Sequence, residues 1–530
     1  MKSFLKVKLQ DIFQVIRPHS LKLLITLGFM AILSQFTTVN HYLEQFSAPR
    51  EIINTVSNDS SRAVGTIMNT RWYKSNGFYP YGNVYFRVAH TIHAFSNKTF
   101  PEVDMDKIEK VEQSHYYALV LASTLALYAL AFLLASFIVK GLIFRLAMTY
   151  TFASTFLHSE TWTEYLLLAH PDHTLALVTA LAALLSFKLI QYPKSSLYFT
   201  ASAMAWGVAT ATKMSTLLFY PAILFLVMFP YEKKNWKRFF NYVVIMFLAY
   251  QIIGFPQNLS MHRHIAFMLK QSYHSVSPDW GSFTEWLALT WDQIKYPGLF
   301  VIIFSILFKK RDQQLKIWKV AVFFLIPFCV LLSRKITSVH HYYPMPFVAM
   351  LLVGFIPLIG QMDLQRFFSK KVKFAGLAII FVVSMTKLNS GMQESLASSY
   401  LMHTKCRKQS LKAKSILRNY QKEGFRVLVD PYFPIGTREV DYDRTWGYKL
   451  KDLKKNSQIS VLGLRETFYE RFLSPAPMSQ QPDIRVNWDE FGLFYKTFHN
   501  QKQVEAVSAT WNRVYTDKCG HHIFKKESAQ

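Results

Sequence analysis

The sequence predicts a polytopic α-helical membrane protein with about eleven transmembrane helices, followed by a small α/β domain outside the membrane. Three observations predict it. Apolar runs of membrane length recur from Leu21 to Leu388, and a soluble chain has no reason to keep so many stretches of roughly 17 to 25 apolar residues. The Lys and Arg residues gather in clusters between those runs. From Asn389 the composition becomes that of a soluble domain, which divides the chain into a transmembrane unit, 1–388, and an extracytoplasmic unit, 389–530.

Overall composition does not decide the class. Of 530 residues, 51% are hydrophobic and 16% aromatic, with a mean hydropathy of +0.12, values that suit a large soluble enzyme as well as a membrane protein. A net charge of +27 would invite nucleic-acid binding if the cations formed one face of a soluble domain. They do not. Lys2, Lys6, Lys8, Arg17 and Lys22 precede the first apolar run, and Lys233, Lys234, Lys237 and Arg238 form a second cluster. Lys309, Lys310, Arg311 and Lys316 form a third, and Arg366, Lys370, Lys371 and Lys373 a fourth. Such clusters are cytoplasmic anchors under the positive-inside rule, so nucleic acid is not an expected partner.

The first span, Leu21 to Val39, follows a basic segment without a small-residue cleavage site and reads as a retained signal anchor with the N-terminus in the cytoplasm. The loop at about 40–115 is then outside. The second span, Tyr116 to Val139, and the third, Leu146 to His158, are joined by an inner turn at Lys140–Arg145. Ser159 to His173 contains no Lys or Arg and reads as an outer loop. The fourth and fifth spans, Thr174 to Gln191 and Ser196 to Thr212, enclose an inner turn with Lys194. The sixth, Leu217 to Pro230, descends to the second cluster, and the seventh, Phe240 to Phe255, leads to an outer loop with Trp280, Trp286 and Trp291, residues suited to the interface. The remaining spans are Leu299 to Phe308, Trp318 to Leu332, Phe347 to Leu358 and Phe374 to Leu388. This alternation puts every dense basic cluster inside.

Beyond it, the sequence predicts a helical stretch to Gln421, strands at Phe425–Val429 and Ile459–Leu462, and a hairpin over Asn512–Lys526. Three cysteines are too few for a disulfide scaffold: Cys329 lies inside an apolar run, and Cys406 and Cys519 lie in the tail, where they could pair in an oxidising compartment. Sequons at Asn58, Asn97 and Asn258 fall in outer loops.

The chemistry-bearing stretch is Ser57 to Phe95, between the first two spans. Asp59 and Arg62 stand one helical turn apart. They read as a base beside a phosphate clamp or as a helix N-cap with a solvated partner. An amphipathic segment follows to Arg71-Trp72-Tyr73, then Gly77, Tyr79-Pro80-Tyr81-Gly82 and Val84-Tyr85-Phe86. Further on, His170-Pro171-Asp172-His173 enters the fourth span, and Val208 to Lys213 ends the fifth. Arg334-Lys335 and His341-Tyr342-Tyr343-Pro344 lie between the ninth and tenth. Each has a plain reading: a helix-start acid for Asp172, a snorkelling cation for Lys213, an aromatic belt for the last.

The order of acidic residue, Asp-x-x-Arg, short helix, Gly, Tyr/Pro/Gly turn and aromatic helix resembles the first extracytoplasmic loop of GT-C glycosyltransferases. The likeness is to the branch with protein O-mannosyltransferases and lipid A aminoarabinose transferases, and Ser60 departs from its common Asp-Glu pair. The resemblance implies a GT-C-like membrane domain that moves a sugar from a polyprenyl phosphate-linked donor to a lipid, glycan or protein acceptor. It implies Asp59 as catalytic base and Asp172 at the second acidic site. Arg62, Lys213, Arg334, Lys335, His341 and Tyr342 are then the groups for the donor phosphate. The resemblance fixes no cofactor, and His170, Asp172 and His173 are weak candidates for a divalent cation, their spacing being unspecific. The implied location is the cell membrane, or the endoplasmic reticulum membrane in a eukaryote. The alternative is a transporter or flippase of lipid-linked sugars, which would carry midplane charges and related repeats. A third reading is a non-catalytic receptor that binds through the tail.

Overall fold

The computed structural model describes residues 20–44, 63–64, 66–67, 82–96, 107–139, 141–221, 223–224, 236–256, 345–346, 348–350, 352–353, 376, 378–379, 381–404, 407–425, 427–429, 441–442, 461–465, 512–517 and 521–525. Among these, α1 is Ser20–Glu44, α2 Asn83–Ser96, α3 Lys107–Ile138 and α4 Leu142–His158. α5 is Glu160–Leu167, α6 Asp172–Gln191, α7 Ser196–Thr212 and α8 Trp236–Gly254. Near the C-terminus come α9, Asn389–Thr404, and α10, Arg407–Lys422, with five strands after them.

Helices lie where the apolar runs predict the first five spans and the seventh. The sixth opens as a 3₁₀ turn, Met214–Phe219. The expected spans at 299–308 and 318–332, with most of that at 347–358, lie outside the described residues, whereas the last, at 374–388, is described at 376, 378–379 and 381–388. Two of the described segments, Gln113–Phe137 and Asp172–Gln191, are long and apolar enough to cross a membrane. The helices are also apolar on the side away from the core. Leu27, Phe29, Met30 and Leu33 of α1 and Phe240, Val244, Leu248 and Ile252 of α8 all point outward. Water would not select two apolar faces on one helix, whereas hydrocarbon would.

One expectation is corrected. The stretch 159–173 reads as an outer loop, yet Glu160–Leu167 is a helix whose Trp162, Leu166 and Leu167 are fully buried in the bundle. Its lack of Lys and Arg reflects burial, because the i, i+4 pair Trp162 and Leu166 falls on one face. α5 ends in a Schellman motif: Ala169 N–H donates to Leu166 O (3.1 Å) and His170 N–H to Tyr165 O (3.2 Å). The motif needs a left-handed residue and takes Ala169, at φ 56°, where glycine is usual. The chain thereby reverses into α6.

α6 and α7 form an antiparallel hairpin through the turn at 192–195, where Ser195 caps α7 by accepting from Tyr198 N–H (3.3 Å). α8 packs along α7 at Gly207, where a Cβ would meet Met246 O at 2.3 Å. Buried hydroxyls join the three helices. Ser202 Oγ lies 2.8 Å from both Ser186 Oγ and Tyr242 OH, and Trp206 Nε1–H donates to Ser186 Oγ (2.9 Å).

α9 follows a π-helical turn at Ser384–Leu388 and packs on α4 and α5, with Gly391 against the His158 ring. Met392 and Leu396 belong to the same core as α3 to α8, so helical packing continues past residue 389. α10 lays Ala413 and Leu417 on Val427 and Ile523 of the sheet. The strands are β1 Val427–Val429, β2 Asp441–Tyr442, β3 Val461–Arg465, β4 Asn512–Thr516 and β5 His521–Lys525. Their order is β2-β1-β3-β5-β4, with β1 parallel to β2 and β3, and the last pairs antiparallel. β4 and β5 form the expected hairpin. Cys406 and Cys519 lie outside the described residues.

Candidate active site

The α6–α7 hairpin brings the start of one helix beside the end of the next. Asp172 is the first residue of α6, and Lys213 is the first residue after α7. Helix dipoles favour an anion at the first place and a cation at the second. The two meet: Lys213 Nζ donates to Asp172 Oδ1 at 3.0 Å and to Oδ2 at 3.2 Å.

Asp172 keeps the dipole-favoured place of a helix-start acid, but its side chain goes to Lys213 rather than to a cap. A capping acid would accept from its own first turn, but α6 has Pro171 at the N-cap position and no side-chain cap bond there. A snorkelling lysine would end in water, but Lys213 is 4% exposed and Asp172 1%. Lys213 leaves the helix in extended conformation, φ −158° and ψ 129°, which turns its side chain back toward α6. Thr216 holds that exit, its N–H and Oγ1–H both donating to Lys213 O at 3.2 and 3.0 Å.

His170 Nδ1 contacts Asp172 Oδ2, so the carboxylate faces an imidazole as well as an ammonium. His173 is turned elsewhere. Its Nε2 lies 2.9 Å from Trp162 O, and a carbonyl only accepts, so the proton sits on Nε2. The Trp162 and His173 rings meet edge to face at 5.5 Å. His170, Asp172 and His173 therefore do not converge, and among the described residues no three His, Cys, Asp or Glu side chains form a group able to hold a metal.

A buried ion pair is poor value as a stabilising device, since desolvation of both ions roughly cancels their attraction. Taking two charges out of water where an apolar pair would pack as well points to chemistry. The pair holds an ammonium in a fixed orientation at the joined ends of α6 and α7. Asp59, Arg62, Arg334, Lys335, His341 and Tyr342 lie outside the described residues.

Comparison with solved structures finds the same architecture. The crystal structure of ArnT from Cupriavidus metallidurans bound to undecaprenyl phosphate aligns with a TM-score of 0.52 and 11% identity, over 96% of this chain and 98% of that one. The chain shares the fold of this ArnT. The apo-state crystal structure of the same ArnT aligns over 93% of this chain and 97% of that one, with a TM-score of 0.48 and 12% identity. No protein-family model and no curated protein matches the sequence.

Sequence reasoning singled out Asp172 and Lys213 separately, without pairing them. It missed Ser123, which donates to His170 O at 3.1 Å, and the role of Tyr85, whose hydroxyl lies 3.2 Å from Ser123 Oγ. Tyr85 stands inside the aromatic motif, so its neighbourhood was visible. Ser123 lies in an apolar run and gave no signal.

Proposed function

We propose that the chain is an integral membrane glycosyltransferase that moves a sugar from a polyprenyl phosphate carrier to an extracytoplasmic acceptor. The observation that carries this reading is the buried Asp172–Lys213 pair at the joined ends of α6 and α7. The fold shared with ArnT and the Ser57–Phe95 motif support it. Asp59 is the base, Lys213 and Arg62 meet the donor phosphate, and Arg334, Lys335, His341 and Tyr342 complete the phosphate group. Asp172 keeps Lys213 oriented and charged until the donor arrives.

The step balances simply. An acceptor hydroxyl or amine attacks the anomeric carbon as Asp59 takes its proton, and the bond from that carbon to the phosphate oxygen breaks. The electron pair leaves with the carrier, whose phosphodiester becomes a monoester with one more negative charge. Preorganised cations stabilise that charge as it develops.

Membranes holding the chain, incubated with radiolabelled polyprenyl phosphate sugars, test the reading. Asp59→Asn keeps the size of the side chain but cannot accept a proton, so transfer is abolished while donor binding persists. Arg62→Ala removes a charge-assisted contact of about 1.5–3 kcal/mol and weakens donor binding instead. Parental transfer by Asp59→Asn at matched protein level would move the base elsewhere.

A further inference from the structure

Helix α2 reaches the Asp172–Lys213 pair from two sides without supplying either charge. On the Lys213 side, Gly82 N–H donates to Thr212 O at 3.0 Å, satisfying a carbonyl in the last turn of α7 immediately before the lysine. The approach admits no side chain. A Cβ on Gly82 would stand 1.6 Å from Ala211 O and 2.5 Å from its carbonyl carbon, backbone atoms that cannot swing aside.

The start of α2 also lies across the end of α8. Asn83 Nδ2–H donates to Gly254 O (3.2 Å) and Phe255 O (3.3 Å), and the Arg87 guanidinium to Ile253 O (2.7 Å) and to Phe255 O. One short helix therefore covers the C-terminal carbonyls of α7 and α8 together.

On the His170 side the contact runs through Tyr85, one turn along α2 from Gly82. Ser123 Oγ–H donates to His170 O at 3.1 Å, which spends its single proton. Tyr85 O–H donates to Leu119 O at 3.0 Å, and its oxygen lies 3.2 Å from Ser123 Oγ. Burial pushes the Tyr85 hydroxyl well above its ordinary pKa, so it remains a donor. His170 in turn touches Asp172.

We propose that α2 sets the geometry of the pair through these two arms, Gly82 to Thr212 and Tyr85 through Ser123 to His170, making Gly82, Tyr85 and Ser123 positioning residues. This rests on the reading of the pair as the working part of the site.

The test uses the full chain in detergent and reads side-chain accessibility by mass spectrometry, with an amine-reactive acylating reagent for lysines and diethyl pyrocarbonate for histidines. Gly82→Ala raises labelling of Lys213 about ten-fold or more, while Lys188 and Lys194, at the far end of the same hairpin, stay within about two-fold of the parent. Ser123→Ala and Tyr85→Phe raise labelling of His170 about five-fold and leave Lys213 protected, and Ser123→Thr restores protection. If Gly82→Ala opens all three lysines together, the hydroxyl variants decide alone. Protected Lys213 in a folded Gly82→Ala chain, or parental His170 labelling in both hydroxyl variants, overturns the proposal. Labelling needs no sugar transfer, so a parent chain that shows the two arms but moves no sugar refutes only the transferase reading.

Discussion

Lys213 and Asp172 carry opposite charges in a place where neither is tolerated alone. Lys213→Met leaves the Asp172 carboxylate buried without its ammonium, and the expected loss of stability is about 3–5 kcal/mol. Combining it with Asp172→Asn removes both charges and recovers most of that loss, because an uncharged pair carries no desolvation penalty. Denaturant unfolding of the detergent-solubilised chain reads both numbers, and a double variant as unstable as the single one would mean that packing, rather than charge, holds the hairpin end. Each residue was visible in the sequence as a candidate, Asp172 at a helix start and Lys213 at a helix end. Their contact was not, since it spans 41 residues and depends on Lys213 leaving α7 in an extended conformation. Ala169 illustrates the same limit: nothing in its type announces the left-handed turn that aims His170 at Asp172.

Helix α7 is the element that ties the site to the bundle. Its Gly207 lets α8 approach to backbone contact, so Gly207→Ala must push the helices apart and costs about 1–3 kcal/mol. Ser202→Ala removes the hydroxyl that joins Ser186 to Tyr242 and costs about 1 kcal/mol or somewhat more, since its partners stay buried. Thermal unfolding checks both, and unchanged stability in Ser202→Ala would mean that its partners rearrange without cost. The positions of these helices were legible because apolar length is a strong signal. α5 was not, because eight residues without Lys or Arg read equally as a loop, and its packing on α3, α4, α6 and α9 makes it a helix. The hairpin of β4 and β5 was legible from alternation, whereas β2, two residues long, has no local signature.

At the scale of the molecule, apolar outer faces on α1, α7 and α8 and a fold shared with ArnT agree with a chain built in a bilayer. Orientation is open to a direct test with two exposed positions. Phe95 at the end of α2 is 85% exposed, and Tyr192 in the α6–α7 turn is 54% exposed. With the N-terminus inside, a cysteine at Phe95 reacts with an impermeant maleimide in intact cells, and one at Tyr192 reacts only after the membrane is opened. The reverse pattern would invert the whole arrangement. Positive-inside clustering is what sets the expected orientation, and the expected function rests on an ordered set of degenerate motifs. Four of the six residues proposed to meet the phosphate lie at 334–342, far along the chain, and spacing alone does not bring the six together.

The most direct measurement is sugar transfer by the Asp172→Asn, Lys213→Met double variant, assayed in membranes against the parent at equal folded protein with a radiolabelled polyprenyl phosphate sugar. The parent releases sugar-free carrier and labels an acceptor, whereas the double variant keeps its fold and loses transfer by about 10²-fold or more, the scale of one lost charge-stabilising group. Transfer at the parental rate by the folded double variant would contradict the account, because the buried pair would then be structural and the phosphate would be met elsewhere.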